Sequence, residues 1–144
     1  MSLVISGASG QLARGVINAL LETVDASELI LVTRTPDAVD VPGAQVRHGD
    51  WEQPDTLRTA FAGGEKLLLI SGPKVGDRVP GHKAAIDAAV AAGIRWIAYT
   101  SIVNPSDSNP IFVAAEHRAT EEHLRASGVA WTMLRNSIYA DVQV

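Results

Sequence analysis

The sequence predicts an α/β domain built on a doubly wound parallel sheet. Three observations carry this expectation. Six short apolar, β-branched runs recur along the chain, helix-period segments separate most of them, and most of the runs are continuously apolar with no in/out alternation. Continuous runs suit strands covered on both faces, and strand–helix alternation is the pattern that builds a parallel sheet.

The strand-like runs are Leu3–Ser6, Leu29–Thr33, Gln45–His48, Leu67–Ser71, Trp96–Ser101 and Trp131–Leu134. Between the first two, Gln11–Val24 sets Leu12, Val16, Leu20 and Val24 four residues apart on one stripe of a helix. Pro36–Ala44 is too short and too rich in Pro and Gly for a full helix. Asp55–Ala62 reads as a short helix after Pro54, closed by Gly63-Gly64. A further helix runs from about Pro80 to Ala92, with Pro in the first turn and Gly93 just past the end. The last helix follows Asn109-Pro110 and ends at Gly128.

Composition fits a single globular unit. The chain has 144 residues, 47% hydrophobic and 19% charged, with a net charge of −4. One core typically serves about 100–200 residues. A chain of this size buries roughly 68–70% of its unfolded surface without a disulfide or metal staple. There is no cysteine, which removes disulfides, thiolate metal sites and cysteine nucleophiles together. The 12 Lys and Arg residues are scattered and form no run, so the concentrated basic face that nucleic acid requires is not expected. No stretch approaches the ~18 apolar residues of a membrane span. The first strand begins at Leu3, leaving no room for a signal peptide, so a cytoplasmic location is expected.

The chemistry concentrates at strand ends. Gly7-Ala8-Ser9-Gly10-Gln11-Leu12-Ala13 links the first strand to the first helix with Gly-x-x-Gly-x-x-Ala spacing. Gly7 permits the tight turn, Gly10 lets a pyrophosphate approach the backbone, and Ala13 lets helix and strand pack closely. The phosphates would rest on the helix N-terminus; the bland reading is a tight turn and nothing more. After the second strand comes Val32-Thr33-Arg34-Thr35, with no acid for ribose hydroxyls. Arg34 suits the 2′-phosphate of NADP(H), with Thr33 and Thr35 adding hydroxyls, or it is an ordinary surface arginine.

Asp50 and Trp51 follow the third strand and suit the adenine, or else a helix start and a half-buried ring. Ser71-Gly72 ends the fourth strand, where small residues let a ribose pass. Thr100-Ser101 closes the fifth. His117 and Glu121 lie four residues apart on the next helix, on one face, where the carboxylate would favour a charged imidazole able to donate to a carbonyl. The competing reading is a solvated pair contributing about 0.3–0.5 kcal/mol. Glu122 and His123 are adjacent and splay apart, so no metal site is expected. His48 and His82 have no partner pattern and read as structural or surface residues.

Together, Ile5-Ser6-Gly7-Ala8-Ser9-Gly10-Gln11-Leu12, Leu69-Ile70-Ser71-Gly72, Ile97-Ala98-Tyr99-Thr100-Ser101, Leu134-Arg135-Asn136 and Glu116-His117-Arg118-Ala119-Thr120-Glu121 resemble the NmrA-like branch of the atypical short-chain dehydrogenase/reductases, and within it the NADPH-dependent quinone oxidoreductase type. The likeness spans the whole chain. It implies a Rossmann sheet of strand order 3-2-1-4-5-6 that binds NADP(H) and delivers hydride to a small-molecule acceptor, a quinone or similar carbonyl compound. It further implies Gly7, Ser9, Gly10, Gln11 and Leu12 around the pyrophosphate and Arg34 on the 2′-phosphate. Ser71 and Gly72 would lie near the ribose, Ser101 and His117 toward the nicotinamide, and Asn136 through Tyr139 at its border, with His117, Ser101 and Glu121 the candidate catalytic residues.

Two departures from that pattern shape the expectation. His117-x-x-x-Glu121 stands where the classical short-chain reductases carry Tyr-x-x-x-Lys, so tyrosine-driven ketone chemistry is not expected, while a quinone can take its proton from solvent or a weak donor, with His117 polarising or protonating its oxygen. Family members also continue further, so residues 1–144 are expected to form the nucleotide-binding domain without the substrate lobe. Three functions remain open at this stage: a quinone reductase, a redox sensor that holds NADP(H) and signals to a protein partner, and an inert nucleotide-binding half. Surface left uncovered would favour a homo-oligomer.

Overall fold

The computed structural model describes residues 1–137. Its strands are β1 (Leu3–Ser6), β2 (Leu29–Thr33), β3 (Gln45–His48), β4 (Lys66–Leu69), β5 (Trp96–Ile102) and β6 (Ala130–Asn136). Its helices are α1 (Gln11–Leu20), α2 (Pro54–Phe61), α3 (Val79–Ala91) and α4 (Phe112–Ala126). All strand pairs are parallel, in the order β3-β2-β1-β4-β5-β6. The expected doubly wound sheet is therefore present.

Register explains the two cores. Val4 aligns with Ile30 and Leu67, and Leu67 aligns with Ile97. This row lies on the face that packs with Leu57 and Phe61 of α2, Ile86 of α3 and Leu124 of α4. Side chains one residue on point the other way, so Ile5 and Leu31 join Ala13 and Ile17 of α1. The chain winds outward from β1 toward β3, then crosses back to β4 and winds toward β6. The strand order reverses between β1 and β4, and ligands of such sheets bind at that point beyond the carboxyl ends of the strands.

Two boundaries differ from expectation for local reasons, and the connection after β2 is short, as expected. Helix α1 stops at Leu20 and not Val24, because the N–H groups of Glu22 and Thr23 turn to carbonyls three residues back, those of Ala19 and Leu20, and the Thr23 hydroxyl also bonds the Leu20 carbonyl. Its most buried residues are Ala13 and Ile17, with Val16, Leu20 and Val24 beside them. Strand β4 stops at Leu69 and not Ser71, because side chains capture the next backbone donors: Thr100 Oγ1 accepts from the Ser71 N–H and His82 Nε2 from the Gly72 N–H. Residues 36–44 form a single 3-10 turn at Pro36–Ala38 and then a loop. Among the described residues, no helix is long and apolar enough to cross a membrane.

Candidate functional site

The turn after β1 is built by its glycines. Gly7 has φ +72°, a left-handed conformation that costs an L-residue roughly 1–2 kcal/mol. A Cβ on Gly10 would sit 3.3 Å from the Gly7 carbonyl oxygen. Gly10 is the N-cap of α1 and has no side chain to close the helix end. Leu12 and Ala13 lie in the first turn, where backbone N–H groups have no intrahelical acceptor. An exposed, glycine-lined helix start of this kind fits a pyrophosphate.

The end of β2 joins this turn. The Thr33 hydroxyl donates to Ser9 Oγ at 3.0 Å and accepts the Thr35 N–H at 3.1 Å. Thr33 is thus spent inside the fold, and Arg34 and Thr35 are the exposed groups. Among the described residues no carboxylate pairs with Arg34. After β3, Asp50 accepts from the Glu52 N–H at 2.9 Å and from the Gln53 amide at 3.4 Å, so its carboxylate organises its own turn. Trp51 reaches across to the β4 side and meets His82 edge-on, ring centroids 5.2 Å apart.

On the other flank of β1, Ser71, Gly72 and Thr100 come together. Thr100 Oγ1 accepts from the Ser71 N–H at 2.8 Å and donates to Ser71 Oγ at 3.3 Å. Asn136 ends β6, its carbonyl accepting from the Val103 N–H at 3.0 Å. Tyr139 lies outside the described residues.

The three residues expected to be catalytic face inward. Ser101 Oγ donates to Glu121 at 2.7 Å. Glu121 is 1% exposed and also accepts from Arg125 at 2.9 Å and from Arg135 Nε and Nη2 at 3.0 and 2.8 Å. Burial pushes its carboxyl up, but the bonds from Arg135 and Ser101 outweigh this and hold it below the usual carboxylate range. His117 instead bonds to Arg78 Nη2 through Nε2 at 3.1 Å and to the Tyr99 hydroxyl through Nδ1 at 2.6 Å. The expectation that Glu121 favours a charged His117 is corrected: burial and then Arg78 push the imidazole down to about 4, outweighing Glu116 and Glu121.

Obligate donors fix the tautomers. A guanidinium can only donate, so His117 Nε2 accepts from Arg78 and Nδ1–H donates to Tyr99. A peptide N–H can only donate, so His82 Nε2 accepts from Gly72 and Nδ1–H donates to Thr120 Oγ1 at 2.9 Å. Burial, with Arg78 and His117 nearby, pushes His82 down to about 3, and burial pushes the Tyr99 phenol up. Both imidazoles are neutral at pH 7, with each ring nitrogen engaged.

Sequence reading passed over Arg78, Tyr99, Glu116 and Thr120, and it gave His82 no partners, whereas that residue is fully buried with both ring nitrogens bonded. Arg78 donates to Glu116 Oε2 at 3.0 Å and to the Gly72 carbonyl at 2.9 Å, while Glu116 Oε1 accepts the Gly76 N–H at 2.8 Å. A signal existed in the helix periods. His82 shares the buried stripe of Ala85, Ile86 and Ala89, and Thr120 lies on the stripe of His117, Glu121 and Leu124.

An open glycine turn at the switch point, an exposed arginine after β2 and small residues after β4 define a dinucleotide-binding Rossmann domain. The chain belongs to the NAD(P)H-binding family, whose sequence model matches residues 7–143. It is 43% identical over 142 residues to quinone oxidoreductase 2 of Escherichia coli K12, covering 96% of this chain and 49% of that protein. It superimposes on the crystal structure of Citrobacter sp. triphenylmethane reductase complexed with NADP(H), with a TM-score of 0.95 and 38% identity over 100% of this chain and 52% of that one. The E. coli NADPH-dependent quinone oxidoreductase complexed with NADPH gives a TM-score of 0.92 and 42% identity, over 96% of this chain and 50% of that one. The chain spans about half the length of these relatives.

Proposed function

We propose that this chain is the cofactor-binding part of an NADPH-dependent reductase that delivers hydride to a quinone or a similarly conjugated acceptor. The observation that carries the cofactor choice is Arg34, exposed and unpaired by any described carboxylate at the end of β2. A charge-assisted bond to a 2′-phosphate contributes roughly 1.5–3 kcal/mol, about a ten- to hundredfold preference over NADH. The Gly7–Ala13 turn would hold the pyrophosphate, and Ser71, Gly72 and Thr100 would border the ribose.

The acceptor class is supported by the relatives, one named for quinones and one for triphenylmethanes, both conjugated electrophiles. When bound, NADPH supplies a hydride from its dihydronicotinamide ring. A quinone that takes it becomes a hydroquinone anion, and water then supplies the remaining proton. This chemistry needs no acid from the protein, which suits a site where Ser101 is bonded to Glu121, and His117 to Arg78 and Tyr99, inside the fold.

That inward packing also favours a second reading, a module that binds NADP(H) and responds to its oxidation state without turnover. The two separate in one assay. The chain is loaded with NADPH, mixed with 1,4-benzoquinone, and the dihydronicotinamide absorbance is followed against protein-free solution. Oxidation well above the free rate supports the reductase. Bound NADPH oxidised no faster than free NADPH leaves the sensor.

A further inference from the structure

Gly72, just past the end of β4, is gripped from three sides. Its N–H donates to His82 Nε2 at 2.9 Å, and its carbonyl accepts from Arg78 Nη1 at 2.9 Å. A Cβ at position 72 would stand 2.6 Å from the Trp51 ring, so the indole closes the third side. His82 is 0% exposed and Arg78 is 8% exposed. Each is braced from behind, His82 by Thr120 and Arg78 by Glu116. Both braces lie on α4, so α3 and α4 together set the position of one residue and the two peptide groups that flank its Cα.

A peptide leaving a parallel strand has no ladder to fix it. Here the ladder ends at Leu69, and the next backbone donors are met by side chains that can hold only one geometry. Burying an imidazole and a guanidinium costs desolvation, and the bonds to Gly72 and to the braces on α4 offset that cost. Gly72 lies on the β4 side of the point where strand order reverses, whereas Arg34 lies on the β2 side.

We propose that His82 is a positioning residue: by accepting the Gly72 N–H through Nε2, it holds the backbone after β4 where the nicotinamide half of NADPH must pass. The inference rests on the cofactor reading above. It assigns His82 no contact with the cofactor and no part in proton transfer. Its effect falls on the half of the ligand beyond the pyrophosphate and leaves the adenosine 2′-phosphate half untouched.

Two amide substitutions separate the ring nitrogens. In His82→Gln the side-chain oxygen reaches the place of Nε2 and can still accept from Gly72. In His82→Asn it reaches only the place of Nδ1 and cannot. Calorimetric titrations of both variants and the wild-type chain with NADPH and with adenosine 2′,5′-bisphosphate test the claim, with thermal melts alongside. The expected result is an NADPH affinity at least tenfold weaker in His82→Asn, near wild type in His82→Gln, and bisphosphate affinity within about twofold throughout.

Equal weakening of both ligands in His82→Asn would make His82 a general structural residue and overturn the proposal. So would NADPH binding at wild-type strength in that variant. A folded His82→Gln that loses NADPH tenfold overturns it without reference to the Asn variant. Failure of the cofactor reading itself looks different, because the wild-type chain then binds neither ligand.

Discussion

At the scale of single residues, the two buried histidines decide how the molecule responds to acid. Unfolded, each titrates near 6.5; folded, His117 and His82 sit at about 4 and about 3. Between those values the unfolded chain holds more protons than the folded one. Stability is therefore complete above about pH 6.5 and is lost as pH falls below it, with a slope from His82 approaching ~1.4 kcal/mol per pH unit. Glu121, held below its ordinary range, adds to the loss only at more acid pH. Melting temperatures should be flat above about pH 7 and should drop steadily below about pH 6. A melting temperature unchanged between about pH 7 and pH 5 would contradict the neutral, bonded pair.

Individual residues were also the hardest to read from sequence. His117, Ser101 and Glu121 were correctly placed on neighbouring elements, but spacing says which face a side chain shares and not which partner wins it. Arg78 and Tyr99 reach His117, and Arg135 reaches Glu121, across sequence separations that no local pattern reveals. The Asp50 carboxylate was similarly taken by its own turn.

At the scale of elements, glycine placement shows how tightly strands and helices meet. A Cβ on Gly49, just after β3, would lie 2.5 Å from Val32 Cγ1 and 3.2 Å from Ala60 Cβ. Gly49→Ala should therefore destabilise by about 1–3 kcal/mol through overpacking. Gly15, within α1, has nothing within 4 Å of the same position. Gly15→Ala should stabilise by about 0.5–1 kcal/mol through helix propensity. Urea denaturation of the two variants should give shifts of opposite sign, and shifts of the same sign would refute this view of the packing.

Elements were the most legible level, because apolar runs and Pro/Gly punctuation are local signals. Strands β1, β2 and β3 matched the sequence reading residue for residue. Two of the misplaced ends, at Leu20 and Leu69, occur where side chains such as Thr23, Thr100 and His82 take over backbone groups. Such captures depend on tertiary contacts, so propensity cannot foresee them.

At the scale of the whole molecule, the reversal of strand order between β1 and β4 ties the parts together. It opens the carboxyl edge of the sheet beside the Gly7–Ala13 turn. Arg34 then follows β2, Asp50 and Trp51 follow β3, Ser71 and Gly72 follow β4, and Thr100 lies near the end of β5. The buried network from Trp51 through His82 and Tyr99 to His117 runs beneath that second flank and joins α3, α4 and β5. The overall topology was accessible from sequence, since alternation and family resemblance both pointed to it. The network beneath the edge was not, because it is made of residues scattered from 51 to 117.

The central claim is that this edge binds NADPH and selects it through Arg34. Calorimetric titration of the chain with NADPH and NADH, repeated for Arg34→Ala, tests it most directly. The account predicts NADPH binding at least tenfold tighter than NADH, with the difference erased in Arg34→Ala and NADH binding unchanged there. Equal affinity of the folded wild-type chain for the two nucleotides, or an NADPH preference that survives Arg34→Ala, would contradict it.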